Sequence, residues 1–218
     1  MSKIAIIGAG SIIFCKTLLN DLLSTPALKG FTYTLMGPTM WKLEKQKEYA
    51  DQLIEKNNLD AKIFCTTDRR EALKNAKYVI LMFQIGGTAA YRYDYEIPMK
   101  YGVDQCIGDS MGPGGVFRCL RSAPVIMGIG KDIKELCPDA YVLNYVNPMG
   151  AVCTVAGCAT DMKMVGLCHG VQTTLDLIAG YTNVAKNEID YLCAGINHMD
   201  WFLKLEKDGE DLYLPNSI

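Results

Sequence analysis

A short β-branched run, Lys3–Ile7, breaks at Gly8-Ala9-Gly10-Ser11, and helical apolar spacing then runs from Ile12 to Leu23. A strand that turns on glycines into a helix restricts this chain more than any other feature. Glycines let the backbone reverse tightly and bring its amides close to a pyrophosphate at a helix N-terminus. Gly8, Gly10, Ser11 and Ile12 are therefore candidate dinucleotide contacts. Ile13 stands where a third glycine would complete the G-x-G-x-x-G pattern. The same residues also suit a tight strand-to-helix turn that binds nothing.

The chain continues in the same alternation. Phe31–Met36 reads as a second strand, Trp41–Lys56 as a polar-faced helix and Ala61–Cys65 as a third strand. A short helix over Arg69–Asn75 and a fourth strand over Tyr78–Phe83 follow. Strands and helices at this spacing imply βαβ units and a parallel sheet. In such units the second strand ends in a carboxylate that holds the adenine ribose. Here it ends Leu35-Met36-Gly37-Pro38-Thr39, with Lys42 nearby. One lysine does not by itself define a 2′-phosphate site.

Gln84-Ile85-Gly86-Gly87 follows the fourth strand, then a polar stretch with four tyrosines, then Gly108-Asp109-Ser110-Met111-Gly112-Pro113-Gly114-Gly115. So many glycines predict a functional loop over the C-terminal edge of the sheet. A plain surface loop is the alternative. Val116–Leu136 is mostly helix, with Arg118 and Arg121 near its start and a kink expected at Pro124. Tyr141–Tyr145 is a strand closed by Asn147-Pro148, and Met164–Leu167 is another. A helix from Val171 to Tyr181 precedes two antiparallel strands, Tyr191–Gly195 and Trp201–Glu206. The expected class is α/β. A Rossmann-like, mostly parallel sheet flanked by helices occupies residues 1–165. The start of an incomplete α+β substrate domain occupies 166–218.

A formal net charge of −2 gives no electrostatic reason to expect nucleic acid or an anionic membrane as partner. No apolar run reaches membrane-span length, and the N-terminus does not read as a signal peptide. The nine cysteines are odd in number, contain no C-x-x-C and sit in apolar segments. They read as small core hydrophobes of a protein in a reducing, cytoplasmic compartment.

The chain has two histidines, each just after an apolar run: Val165-Gly166-Leu167-Cys168-His169 and Ala194-Gly195-Ile196-Asn197-His198. Thiolate and imidazole suit a borderline divalent ion, so Cys168 and His198 are candidate metal ligands. Two ligands are too few for a closed structural site and would leave room for substrate oxygens. Spacing alone favours the plainer alternative, a buried thiol and a hydrogen-bonded core histidine. Asn144, Asn147 and Asn197 at strand ends could bind hydroxyls, and Asp109 is a possible acid, base or binding carboxylate. Each also suits a turn.

Taken together, these segments resemble glycoside hydrolase family 4, NAD- and metal-dependent glycosidases related in fold to lactate and malate dehydrogenases. The resemblance runs from Ile4 to Leu205 and is strongest toward the alpha-galactosidase branch. It rests on Gly8-Ala9-Gly10-Ser11, Phe83-Gln84-Ile85-Gly86-Gly87, the Gly108–Gly115 segment, Asn144-Tyr145-Val146-Asn147-Pro148-Met149, Gly166-Leu167-Cys168-His169 and Gly195-Ile196-Asn197-His198-Met199. It implies that NAD+ takes a hydride from sugar C3, that C2 is then deprotonated, and that the aglycone leaves C1 by elimination. Water adds back and the ketone is re-reduced. It also implies Mn2+ or another divalent metal on Cys168 and His198, chelating O2 and O3. By the same resemblance Gln84 is expected among the cofactor contacts, Asn147, Arg121 and Asn197 among the substrate contacts, and Asp109 and His169 at the catalytic centre.

The partner implied is a small carbohydrate, and the assembly a dimer or tetramer. Two positions depart from the family pattern: Gly37 replaces the acidic residue, and Gly170 follows Cys168-His169 where the alpha-galactosidase branch carries serine. Cys-His-Gly also occurs in alpha-glucosidase and uronidase branches, so alpha-glucosidase and alpha-glucuronidase or galacturonidase stay open. The family's tyrosine base and helical C-terminal half are expected beyond Ile218, which leaves a catalytically incomplete NAD-binding fragment as another reading. A 2-hydroxy-acid dehydrogenase of the same fold would need no metal, and Cys168 does not suit it.

Overall fold

The computed structural model describes residues 2–105, 110–196 and 199–213. It divides into two compact units, Met1–Leu167 and Cys168–Ile218. The first unit runs β1 (Lys3–Ile7), α1 (Ile12–Ser24), β2 (Thr32–Met36), α2 (Met40–Lys56), β3 (Lys62–Thr66) and α3 (Arg69–Leu73). It continues with β4 (Tyr78–Leu81), α4 (Gly87–Met99), α5 (Gly112–Leu136), β5 (Tyr141–Asn144), α6 (Met149–Ala159) and β6 (Lys163–Gly166).

The six strands form one sheet in the order β3-β2-β1-β4-β5-β6. Every pairing is parallel. This is the expected α/β class. Ile6 on β1 registers with Leu35 on β2 and with Ile80 on β4. The chain order thus reverses across β1, and ligands of such sheets bind outside the strand ends at that switch point.

Burial of β1 and β4 on both faces explains their unbroken apolar runs. Side chains still alternate in direction. Ile4, Ile6 and Ile80 join one core with Cys15, Leu19 and Leu23 of α1 and Leu43 and Ala50 of α2. Ala5, Ile7, Val79 and Leu81 join the other with Leu73 of α3, Ile126, Ile129 and Ile133 of α5 and Val152 and Ala156 of α6.

The structure corrects three sequence expectations. The tyrosine-rich stretch read as loop contains α4. The glycines lie at its ends, with Gly86 at φ +80° as its N-cap, while residues 88–97 hold none. The helix expected from Val116 starts four residues earlier, at Gly112, because Pro113 is acceptable in a first helical turn. Helix α6 had no signal in the pattern. Its sequence, MGAVCTVAGCA, is small and apolar all round, so it lacks an amphipathic period.

Helices α4 and α5 are tied by an ion pair. Asp94 on α4 is buried, 1% exposed, and both its oxygens accept from the Arg121 guanidinium, Nη1 to Oδ1 at 3.0 Å. Arg121 Nε also donates to the Ile85 carbonyl at 3.1 Å, which fixes the β4–α4 turn. Hydrogen bonding to Asp94 raises the arginine's pKa further above its usual value. A parallel device joins α3 to α5: Arg69 Nε and Arg70 Nη1 donate to the two oxygens of Asp132, at 2.7 and 2.8 Å.

The second unit holds α7 (Gly170–Thr182) and an antiparallel sheet of β7 (Asp190–Ile196), β8 (Met199–Lys207) and β9 (Glu210–Asp211). The antiparallel pair matches the expectation. Its core is Leu175, Ile189 and Leu205. Among the described residues no helix is long and apolar enough to cross a membrane.

Two predictions follow from this packing. Arg121→Ala strands the Asp94 carboxylate in the interior and should lower stability by about 3 kcal/mol in urea unfolding, the scale for breaking a buried pair. Arg121→Lys should recover only part of that loss, because an ammonium lacks the planar fork. Burial, reinforced by Cys65, pushes the Cys15 thiol up to about 12. At pH 8, iodoacetamide should label exposed Cys158 and Cys168 in the native protein and Cys15 only after denaturation, read by peptide mass spectrometry.

Candidate functional site

The C-terminal ends of β1, β2, β4 and β5 open onto one cleft of about 420 Å³. Its floor is the turn after β1. Gly8 N and Ala9 N donate to the Met36 carbonyl at 2.8 and 2.9 Å, which pins this turn to the end of β2. Gly8 has φ +97°, and a Cβ there would lie 2.6 Å from the Met82 carbonyl oxygen. No other residue fits a backbone that close to β4 at that φ. Gly10 and Ser11 continue the lining. From α2, buried Gln46 Nε2 reaches back to the carbonyls of Ser11 and Ile12 at 3.5 and 3.4 Å.

The other walls come from different strands. Gln84, after β4, lines the cleft, and its Nε2 donates to the Gly87 carbonyl at 3.2 Å. After β5, Tyr145 and Asn147 complete that side, with a cis peptide between Asn147 and Pro148. Asn144 holds this loop. Its Nδ2 donates to the Val146 carbonyl at 3.1 Å and its Oδ1 accepts from Val146 N at 3.0 Å, so it acts as a turn residue. Phe14 of α1 meets Tyr145 edge to face, with ring centroids 5.0 Å apart. Burial, and secondarily the charge of Asp21, raises the Tyr145 phenol above its ordinary range. It therefore faces the cleft as a neutral group at pH 7.

The structure brings Gly8, Gly10, Ser11, Gln84 and Asn147 to one place, from three segments far apart in sequence. Ile12 opens α1 with its side chain 63% exposed and outside the cleft lining, so any contact with a ligand there uses its backbone. Arg121 is committed to Asp94 and Ile85. Arg118, one helical turn earlier, lines the cleft instead and lies 6.0 Å from the Tyr91 ring centroid. The i, i+3 spacing of the two arginines was visible in sequence, but which of them faces the cleft depends on how α5 is rotated. Phe14, Thr39 and Tyr145 were not expected in the site. Their only signal was proximity to motif residues.

Cys168 and His169 belong to the second unit. Cys168 is exposed, two residues before α7, and Gly170 N donates to its sulfur at 3.4 Å. His169 is the N-cap of α7. Asp109, Asn197 and His198 lie outside the described residues. Among the described residues no group of three or more His, Cys, Asp or Glu is placed to hold a metal. The charged side chains lining the cleft are Lys42 and Arg118, with no carboxylate among the described residues. The lining thus combines a glycine turn, two cations and the hydroxyls of Ser11, Thr39 and Tyr145, groups suited to a polyanion that carries sugar hydroxyls.

Comparison with known proteins agrees with this geometry. An alpha-galactosidase of Rhizobium meliloti (strain 1021) is 44% identical over 208 residues, covering 95% of this chain and 42% of that protein. The structure of the 6-phospho-beta glucosidase of Thermotoga maritima with manganese, NAD+ and glucose-6-phosphate is 25% identical, with a TM-score of 0.85. It matches 97% of this chain and 50% of that one. Malate dehydrogenase of Plasmodium falciparum, 16% identical with a TM-score of 0.69 over 98% of this chain and 61% of that one, shares the fold alone. The chain thus spans about half the length of its glycosidase relatives. The model of the family 4 glycosyl hydrolases matches residues 3–184. With that match laid over the six-stranded sheet and its glycine-floored cleft, the chain belongs to the family 4 glycosyl hydrolases.

Proposed function

We propose that this chain carries the cofactor-binding half of an NAD- and Mn2+-dependent alpha-glycosidase acting on alpha-galactosides. The observation that carries the reading is the Gly8 turn at the β1/β4 switch point, in a family 4 chain. The cradle fits a dinucleotide: the space a Cβ would fill at Gly8 is closed by Met82, and the amides that follow it open α1 toward the cleft. When bound, NAD+ would supply a hydride acceptor and donor, and a divalent metal held by Cys168 and His198 would supply Lewis acidity at the sugar.

The chain's own residues do the rest. Backbone amides of Gly10, Ser11 and Ile12 hold the pyrophosphate, and Gln84 is a further cofactor contact from the wall after β4. Asn147 binds sugar hydroxyls. Arg121 serves that end by holding the β4–α4 turn through Asp94 and Ile85, while Arg118 presents its charge to the cleft. Cys168 and His198 supply thiolate and imidazole, a donor set suited to manganese or a similar ion. The family 4 reading assigns Asp109 and His169 to catalysis and Asn197 to sugar binding. No disulfide joins the eight described cysteines, which supports a reducing, cytoplasmic setting. The 44% relative supports the alpha-galactoside over alpha-glucoside and alpha-uronide alternatives.

Isothermal titration with NAD+ should show binding, and Gly8→Ala should weaken it at least about tenfold, because backbone strain and collision displace the turn. Mn2+ should protect Cys168 from iodoacetamide, and His198→Ala should abolish that protection. Under reductant, with NAD+ and Mn2+, any turnover of nitrophenyl glycosides should favour the alpha-galactoside over the alpha-glucoside or alpha-galacturonide. Solvent deuterium should appear at C2 of the sugar. Binding of both groups without turnover of any glycoside would limit these 218 residues to the cofactor half. No binding of NAD+ would overturn the reading.

A further inference from the structure

We infer that the ribose end of the cleft accepts a 2′-phosphate, so that the chain binds NADP+ at least as tightly as NAD+. The inference rests on the dinucleotide reading of the cleft proposed above. In this fold a carboxylate at the end of the second strand accepts hydrogen bonds from the ribose 2′-hydroxyl. Its charge also repels a 2′-phosphate. Here β2 ends at Met36, paired with Ile7, and the next residue is Gly37, beside the turn at Gly8.

The geometry shows what that glycine leaves open. A Cβ built on Gly37 would lie 3.6 Å from Gly10 N and 3.3 Å from Leu43 Cδ2. Any side chain there would start at the edge of the glycine turn, where the ribose has to sit. With glycine, neither a hydrogen-bond acceptor nor a negative charge stands at that point.

Cationic and neutral groups occupy the surroundings. Thr39 and Lys42 line the same cleft. The stem of Lys42 packs against Gly10, its Cδ 3.7 Å from where a Cβ of Gly10 would be. Its ammonium lies 5.6 Å from the Trp41 ring centroid. The Thr39 hydroxyl makes no capping bond to α2. On the outer side of Lys42, a groove between α1 and α2 is lined by Lys16, Lys42 and Lys45 and by no carboxylate. Lys45 is paired with Glu48 at 2.8 Å, which leaves Lys42 as the lysine shared by the groove and the cleft. A lysine beside a phosphate acts as a point charge and needs no fork geometry. Removal of the carboxylate and placement of Lys42 act in the same direction, toward the phosphorylated ribose.

Calorimetric titration of the 218-residue chain with NAD+ and with NADP+ tests this directly, with no dependence on turnover. NADP+ should bind as tightly as NAD+ or more tightly, with the greater sensitivity to salt. Lys42→Glu should weaken NADP+ at least about tenfold more than it weakens NAD+, the scale of a lost charge-assisted contact. Gly37→Asp should shift the preference the same way, and Lys42→Glu, on a half-buried helical position, keeps the test open should that variant fold poorly. In competition, 2′,5′-ADP should displace NADP+ better than 5′-ADP does. NAD+ bound about tenfold or more tightly than NADP+, or Lys42→Glu weakening both alike, overturns this inference and leaves the dinucleotide site standing. Failure of both dinucleotides to bind overturns the site and the inference together.

Discussion

The structure depends on the close approach of two parallel strands at the point where the sheet changes direction. β1 and β4 lie side by side, and beyond them the turn at Gly8 runs against the Met82 carbonyl with no room for a side chain. That contact sets the start of α1, because the chain must leave β1 under Met36 and rise at once into a helix. It also sets the shape of the cleft, whose floor is the same stretch of backbone. A hydrophobic sheet buried on both faces provides the rigidity, and the glycine turn converts it into a receptor.

Around that floor, polar devices hold each wall. Gln46 reaches from α2 to the carbonyls that open α1. Asn144 folds the loop after β5 onto itself. Arg121 joins the β4–α4 turn to the buried carboxylate of Asp94. These groups are buried or half-buried with their partners, and their common effect is positional. An arginine bound on both sides has few donors left for a ligand, so the residue that shows its charge to the cleft is Arg118.

Much of this was legible in the residues. The alternation of apolar runs and amphipathic segments gave the βαβ order, and the glycine turn gave the place of the site. The tyrosine-rich stretch misled because glycines at helix ends and glycines within a loop look alike in composition; only the glycine-free interval at 88–97 marks α4. Helix α6 was silent because its exposed positions carry glycine, alanine, threonine and cysteine and no charged residue, so no polar face marks it. Gln84 and Asn147 were legible as motif residues, whereas Phe14, Thr39 and Tyr145 reach the cleft through rotations of helices and loops that no local pattern encodes.

The sequence by itself determined the class of fold, the glycine-led strand-to-helix turn and the missing carboxylate at Gly37. These are matters of residue type and short-range spacing. Tertiary structure decided which arginine faces the cleft and that Lys42 packs beside Gly10. Those outcomes depend on the rotation of α2 and α5 against the sheet, which the two hydrophobic cores fix through contacts between residues dozens of positions apart.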